Sequence, residues 1–199
     1  MIELRRETSA ALHRKNPMRL IPGTPAPDFR VRDWRGDEHH LGSLRGRRVW
    51  LAFFRYASCP LCNLRVRDMI RRWDGWRDRV ELLAVFQSPN ASIAEYVGRQ
   101  TPPFPLIGDP EEDLYRAYHA ESSLGGFLHP RAAALGAKAA AAGFLPGRME
   151  GTKTRLPADF FIDEEGILER AFYAGDISEH VPFEDVDAWL AQPRRSSRP

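Results

Sequence analysis

Short apolar runs alternate along this chain with segments whose apolar residues follow a helical period. The runs at residues 49–54 and 80–86 are rich in bulky side chains, which is typical of strands buried on both faces of a parallel sheet. After the first run the period becomes helical, with one apolar stripe formed by Cys62, Val66, Met69, Ile70 and Trp73. The pattern therefore predicts a buried strand that leads into an amphipathic helix, with the motif Cys59-Pro60-Leu61-Cys62 at the junction.

The rest of the chain continues this alternation of strands and helices. Further elements are predicted in this order: strands at 28–33 and 38–41, a turn at 43–47, a helix at 90–99, a strand at 104–108 and a helix that begins at Asp109. Residues 157–173 predict an antiparallel hairpin that turns at residues 164–166, and residues 183–191 predict a closing helix. Helices between parallel strands, followed by an antiparallel pair, indicate an α/β sandwich with a mixed central sheet.

The positions of prolines, glycines and charged residues along the chain predict one domain with two extensions and an insertion. Residues 1–19 form an N-terminal extension, in which residues 1–16 are either a short polar helix or loose. The domain runs from 20 to 192, and residues 193–199 form a basic tail that we expect to be frayed. A helical insertion is predicted at about 125–156, because its alanine-rich part favours helix and is bracketed by glycines and a proline.

Composition narrows the classes of protein to consider. A chain of 199 residues suffices for one domain with a sizeable core, and a formal net charge of +2 is too small to indicate a nucleic-acid partner. No apolar run approaches the length that spans a membrane. With only two cysteines, both in one motif, a secreted fold held by disulfides is not expected, so we expect a cytoplasmic protein.

The position of the two cysteines favours a reactive thiol. The first N–H groups of a helix lack internal partners and the helix dipole is positive there, so a thiolate is stabilised. A Cys-x-x-Cys motif at a helix start can lower a cysteine pKa from about 8.5 to between roughly 3.5 and 7.5. Pro60 suits the first helical turn, because its missing N–H would have no intrahelical partner. Cys59 is then the expected nucleophile and Cys62 the resolving thiol, whereas the alternative for each is a buried structural cysteine.

Zinc is a competing hypothesis for the cysteine pair. A closed zinc site needs about four ligands, and this chain has no second cysteine pair and no histidines at ligand spacing. Neither a glycine-rich phosphate loop nor a Ser–His–Asp set stands out. We therefore expect chemistry carried by the two thiols, with no bound cofactor and no metal.

Four segments together resemble a known family. They occur in the family's order and cover most of residues 20–175: PGTPAPDFRVRDWRGDEHHLGSLRGRRVWLAFFR, CPLC, FPLIGDPEEDLYRAY and FFIDEEGIL. On these segments the chain resembles the thioredoxin-like superfamily and, within it, the peroxiredoxin-like (alkyl hydroperoxide reductase/thiol-specific antioxidant) family. The resemblance implies a thioredoxin-like sandwich, with helices flanking the central sheet and a β-hairpin extension near the N-terminus.

Two positions depart from the family pattern. Typical members carry Thr or Ser three residues before the reactive cysteine, where this chain has Tyr56, and an arginine at the position that aligns with Pro157. Thioredoxins place a cis-proline there, facing a Cys-x-x-Cys pair. A cis bond at Pro157 would shape the cleft, and the alternative is an ordinary proline at the start of a strand. The scaffold thus resembles a peroxiredoxin, while the site resembles a dithiol oxidoreductase.

Five residues are candidates for stabilising the thiolate or binding the substrate: Arg55, Tyr56, Ser58, Pro60 and Pro157. Arg55 could pair with the thiolate and Tyr56 could donate its phenol to an oxygen of a peroxide or sulfenate, and the alternatives are a surface arginine and a packing tyrosine.

The leading functional hypothesis is a peroxidase. In it, Cys59 is oxidised to a sulfenic acid and condenses with Cys62, and an external reductant of thioredoxin, glutaredoxin or low-molecular-weight thiol type reopens the disulfide. The alternatives are dithiol–disulfide exchange without peroxidase activity and a non-catalytic binding module, with homodimerisation left open.

Overall fold

The computed structural model describes residues 19–127 and 130–193, so the predicted N-terminal extension and basic tail lie outside the described residues except for Arg19 and Pro193. The strands and α-helices are β1 (Arg30–Arg32), β2 (Glu38–His40), β3 (Val49–Phe53), α1 (Pro60–Arg72), β4 (Glu81–Phe86), α2 (Asn90–Glu95), β5 (Leu106–Gly108), α3 (Asp113–Ala117), α4 (Leu124–Phe127), α5 (Pro130–Ala141), β6 (Ala158–Ile162), β7 (Leu168–Tyr173) and α6 (Phe183–Ala191). Short 3-10 helices lie at Leu41–Leu44, Trp73–Gly75 and Val97–Gln100.

The central sheet is mixed, as the order of elements predicts. Its strand order is β5-β4-β3-β6-β7, and β1 and β2 form a separate antiparallel hairpin. The β3–β4 and β4–β5 pairs are parallel, whereas β3–β6 and β6–β7 are antiparallel. Strand β3 lies in the middle, with Ala52 opposite Ala84 on one side and Asp159 on the other. The end of β3 therefore brings residues from β4 and β6 close to the cysteine motif.

All five residues of β3 are buried, which confirms the prediction from the apolar run. Trp50 and Ala52 face a core layer that contains the cysteines, Val66 and Met69 of α1. Leu51 and Phe53 face a second layer with Tyr115 of α3 and Tyr118 just after this helix. Strand β3 is therefore covered on both faces, and the cysteine motif and helix α1 follow its end.

Two predicted helices have different boundaries in the structure. The helix predicted from Asp109 begins at Asp113, because Glu112 adopts a left-handed conformation with φ of 58°. Asp109 still caps it from a distance, since its carboxylate accepts the N–H groups of Asp113 and Leu114 at 3.0 and 2.9 Å. The helix predicted at 90–99 divides at Tyr96, whose ψ of −88° separates α2 from the 3-10 helix at Val97–Gln100.

The alanine-rich segment forms helix α5, within the range where a helical insertion was predicted. Helix α5 packs against α1, the helix that follows the cysteine motif. Ala139 is fully buried, and the guanidinium of Arg67 lies 5.7 Å from the ring centre of Phe144, just beyond the helix. The alanine-rich segment is therefore a neighbour of the cysteine helix.

A fully buried carboxylate in β6 ties three segments together. Asp159 accepts hydrogen bonds from Trp50 Nε1 at 2.9 Å, from the Val181 N–H at 3.1 Å and from His180 Nδ1 at 3.2 Å. Burial alone would raise the pKa of Asp159, but the bonds from His180 and Val181 and the charge of Arg65 hold this pKa below its usual range. Burial lowers the pKa of His180, so a neutral imidazole donates to an ionised carboxylate.

The Asp159→Asn variant should lower the free energy of unfolding by about 2–4 kcal/mol, because one buried donor would then face the amide NH2 group. Urea unfolding followed by tryptophan fluorescence measures the loss. The matched control is Asp185→Asn, since Asp185 makes a half-exposed ion pair with Arg170 at 2.6 Å and should contribute less than about 1 kcal/mol. Equal losses in both variants would contradict the importance of the Asp159 network.

Candidate active site

The two cysteines lie where the chain turns from β3 into α1. Cys59 is the residue before the first helical turn, with extended backbone angles (φ −67°, ψ 120°), and Pro60 occupies the first position of α1. The Cys59 N–H donates to the carbonyl of Tyr56 at 3.0 Å, which closes a tight turn before the helix. The N–H groups of Leu61 and Cys62, at the start of the helix, face the sulfur of Cys59.

A buried amide fixes the shape of this junction. Asn63 Nδ2 donates to the carbonyls of Ala57 and Cys59 at 2.7 and 2.9 Å. Gln100 Nε2 holds the other end of the Asn63 side chain by donating to its Oδ1 at 2.9 Å. Asn63 was not among the site residues predicted from the sequence, although a polar side chain directly after the second cysteine could have indicated it.

The two sulfurs have opposite acid–base character. Both cysteines are free thiols with exposures of 1% and 2% for Cys59 and Cys62. Burial alone would raise the pKa of Cys59, but a hydrogen bond from Cys62, the charge of Arg55 and the N–H groups of Cys62 and Leu61 lower this pKa to about 7. Burial and the adjacent Cys59 sulfur raise the pKa of Cys62 well above its ordinary value. Cys59 is thus the sulfur that ionises first.

Arg55 is the cation nearest to that sulfur. It is only 3% exposed, and its Nη1 lies 3.8 Å from Cys59 Sγ. Its Nη2 donates to the carbonyl of Lys153 at 2.7 Å, and its guanidinium lies 5.0 Å from the ring centre of Tyr56. The structure therefore places Arg55 beside the thiol and not on the surface, the alternative considered from sequence.

Tyr56 packs next to the same guanidinium and is 6% exposed. Burial and the neighbouring sulfur of Cys59 raise the pKa of Tyr56 to about 12. The phenol therefore keeps its proton at neutral pH and can act as a hydrogen-bond donor beside the sulfur.

The remaining candidates have structural contacts of other kinds. Ser58 Oγ donates to the carbonyl of Arg148 at 2.7 Å, so its hydroxyl is directed to the insertion. The peptide bond before Pro157 is trans, so the possibility of a cis-proline is not realised. Pro157 stands just before β6, and its carbonyl accepts the N–H of Ala174 at 3.1 Å. Pro157 is therefore an ordinary proline at the start of a strand, which was the alternative to a cis-proline.

Residues 147–155, which we call the cover segment, lie over the motif. Three of its carbonyls accept hydrogen bonds: Arg148 from Ser58, Lys153 from Arg55, and Thr152 from Nε2 of Gln87, the residue after β4, at 3.3 Å. The sequence pattern placed this segment in the predicted insertion and indicated no relation to the cysteines. Its contacts join residues that lie 65 to 98 positions apart, which no local pattern signals.

The described residues offer little to bind a metal ion. Within 19–127 and 130–193, no group of three or more His, Cys, Asp or Glu side chains is arranged to hold one. Across the same residues, no helix is both long and apolar enough to cross a bilayer.

Curated relatives come from both of the enzyme classes considered from sequence. The thiol-disulfide oxidoreductase ResA of Geobacillus kaustophilus (strain HTA426) is 31% identical over 99 residues, which are 49% of this chain and 56% of the relative. MT2597 of Mycobacterium tuberculosis (strain CDC 1551 / Oshkosh), a protein assigned to the peroxiredoxins, is 29% identical over 103 residues, 51% of this chain and 66% of the relative. The chain thus spans between about half and two thirds of the length of these relatives.

Solved structures support the fold assignment. The crystal structure of peroxidoxin BcpB from Mycobacterium tuberculosis superimposes with a TM-score of 0.61 at 16% identity, over 85% of this chain and 95% of that chain. At that identity the likeness concerns the fold alone, which is thioredoxin-like as the resemblance implied. The model of the AhpC/TSA family matches residues 22–171. Since this match covers most of the chain, the protein belongs to the AhpC/TSA family.

Proposed function

We propose that this protein is a thiol-dependent peroxidase, with Cys59 as the nucleophile and Cys62 as the resolving cysteine. The observation that carries the proposal is the pair of adjacent buried sulfurs whose pKa values are shifted in opposite directions. Arg55, with its Nη1 3.8 Å from Cys59 Sγ, supplies the positive charge for the thiolate. A nucleophile that ionises near neutral pH, beside a second thiol that can condense with its sulfenic acid, suits two-step thiol oxidation.

The proposed cycle begins with the thiolate of Cys59. It attacks the terminal oxygen of a hydroperoxide, the O–O bond breaks, and the leaving alkoxide or hydroxide takes up a proton as alcohol or water. The sulfenic acid on Cys59 is then attacked by the sulfur of Cys62, which forms the disulfide and releases water. Two equivalents of an external thiol reduce the disulfide, regenerate both cysteines and leave as an oxidised disulfide.

Arg55 and Tyr56 are suited to assist the first step. Both are hydrogen-bond donors, and Arg55 lies beside the Cys59 sulfur with the Tyr56 ring next to its guanidinium. The phenol of Tyr56 is protonated at neutral pH, as that of an ordinary tyrosine is, so it can donate to the oxygen that accumulates negative charge. In this proposal Tyr56 supplies the donor that Thr or Ser supplies in typical family members.

A peroxide is favoured over a protein disulfide by the enclosure of the nucleophile. Cys59 is 1% exposed and lies beneath the cover segment, whose main chain bonds to Arg55 and Ser58. A small hydroperoxide can reach the sulfur after a slight displacement of the cover segment, whereas a folded protein that carries a disulfide can react only with a sulfur at the surface. Small oxidants are therefore the proposed substrate class.

Dithiol–disulfide exchange is the second candidate, favoured by the Cys-x-x-Cys spacing and by the likeness to ResA. In that cycle Cys59 attacks a substrate disulfide, and Cys62 releases the mixed disulfide as the Cys59–Cys62 bond forms. A non-catalytic binding module, the third hypothesis, gives no reason for a Cys59 pKa near 7.

Exposure to one equivalent of hydrogen peroxide should lower the mass of the reduced protein by about 2 Da, because a disulfide forms with loss of two hydrogens. The Cys62→Ser variant should instead gain about 16 Da as a sulfenic acid, and Cys59→Ser should stay unchanged. Intact-mass spectrometry after a short exposure reads all three outcomes. Oxidation of Cys59→Ser at the wild-type rate would reject Cys59 as the nucleophile.

Stopped-flow measurements separate the two catalytic candidates. With dithiothreitol as the reductant, the wild type should consume peroxide at least about a hundredfold faster than Cys59→Ser, since only a thiolate is the attacking form. Reduction of insulin disulfides in a parallel assay tests the second candidate. Fast insulin reduction, with peroxide consumption no faster than that of Cys59→Ser, would replace the peroxidase by the exchange enzyme.

The rate at which iodoacetamide alkylates Cys59 should rise with pH around a midpoint near 7, because only the thiolate reacts. Arg55→Met should move the midpoint upward by about 1 unit or more, since the nearby positive charge is lost. The matched control is Arg77→Met, because Arg77 is a solvent-exposed arginine paired with Asp74 and Asp78. A midpoint that stays in place in Arg55→Met would show that Arg55 does not stabilise the thiolate.

A further inference from the structure

The cover segment contacts the thiol site mainly through its own main chain. The carbonyls of Arg148, Thr152 and Lys153 receive the hydrogen bonds described above, and residues 147–153 form no helix or strand. Its outer side faces solvent, with Met149 37% exposed. An irregular segment with few buried apolar contacts opens at a lower free energy than the strands of the core.

Two glycines allow this segment to lie against the site. A Cβ on Gly147 would lie 2.7 Å from the Cβ of Ser58, and a Cβ on Gly151 would lie 2.7 Å from the Cβ of Gln87. Gly151 also has a φ of +64°, which residues with a side chain rarely adopt. Any larger residue at position 147 must therefore push the segment away from the residue next to Cys59.

One carboxylate holds the far end of the cover segment. Glu112 accepts the N–H of Thr152 at 2.8 Å and its hydroxyl at 3.1 Å, and it forms an ion pair with the buried guanidinium of Arg155. Arg155 in turn donates to Gln87 Oε1 at 2.9 Å and to the carbonyl of Ala120 at 2.6 Å. The end of the cover segment at Arg155 is thus anchored in the domain. Glu112 binds both Arg155 and Thr152, so it ties Thr152 to this anchored end.

We propose that the cover segment is a size-selective gate over Cys59, and that Glu112 is its latch and a specificity-determining residue. The closed gate leaves the sulfur accessible to small reactants through slight displacements, whereas a bulky thiol or disulfide reaches it only after residues 147–153 leave Arg55 and Ser58. This inference deepens the proposed function, on which it rests for the identity of the reactants. It assigns oxidation by a small peroxide to the closed form and reduction by a bulky thiol to the open form.

The test measures access to the Cys59 thiol in the full chain with a small and a bulky reagent. In a Cys62→Ser background, which leaves one thiol, rates of alkylation by iodoacetamide and by fluorescein maleimide are determined at one pH. The gate variants are Gly147→Ala, which obstructs closure, and Glu112→Gln, which removes the charge of the latch. The matched control is Gly136→Ala in α5, where an added Cβ meets nothing within 4 Å.

Both gate variants should react with fluorescein maleimide about tenfold faster or more, as expected when hydrogen bonds to a charged group or a close contact are lost. The iodoacetamide rate in the gate variants should rise by less than about threefold, because a small reagent reaches the sulfur through small displacements of the cover segment. The control Gly136→Ala should leave both rates within about twofold of the parent. A rise by the same factor for both reagents, or no rise with maleimide in either variant, would overturn the gate.

Hydrogen exchange of the unmodified chain gives an independent test that needs no variant. The amides of residues 147–153 should exchange through an opening of lower free energy than the amides of β3 and β6. Exchange of these amides only together with the core strands would overturn a gate that opens on its own. A chain that shows the expected access pattern but consumes no peroxide would refute the proposed peroxidase and leave the gate standing.

Discussion

A negative charge on a sulfur that water hardly reaches is stable only where cations and N–H donors face it. Cys59 meets this constraint through the helix start, the Cys62 thiol and Arg55, which together offset the effect of burial on its pKa. The rest of the site follows from it. The buried strand β3 leads into the junction, and Asn63 holds the turn before the helix. In this turn the guanidinium of Arg55 lies next to the Cys59 sulfur.

Enclosure and reactivity depend on different parts of the chain. The groups that lower the Cys59 pKa lie within residues 55–62, whereas most of the bonds that close the site come from residues 148–153, far along the sequence. The cover segment therefore encloses the sulfur, while most of the groups that lower the Cys59 pKa come from another part of the chain. Arg55 belongs to both sets, because one nitrogen faces the sulfur and another binds the cover segment.

The family scaffold carries an unusual arrangement of polar groups around its thiol. The positions at which typical members have Thr or Ser and arginine hold Tyr56 and Pro157, and Arg55 supplies the guanidinium near the sulfur. Arg155, only two residues before Pro157, is directed to Glu112, Gln87 and Ala120. We infer that the positive charge beside the thiolate comes in this chain from Arg55, which follows β3, and not from an arginine just before β6.

Features that depend on neighbours along the chain could be predicted before the fold was known. The apolar run of β3, the period of α1 and the motif between them predicted a dithiol at a strand-to-helix junction, and alternating elements predicted the mixed sheet. The side that Arg55 faces, the role of Asn63 in holding the turn and the enclosure of the site by residues 147–155 became visible only in the folded chain. Such contacts join residues as many as 98 positions apart, and they depend on packing directions that local periodicity does not encode.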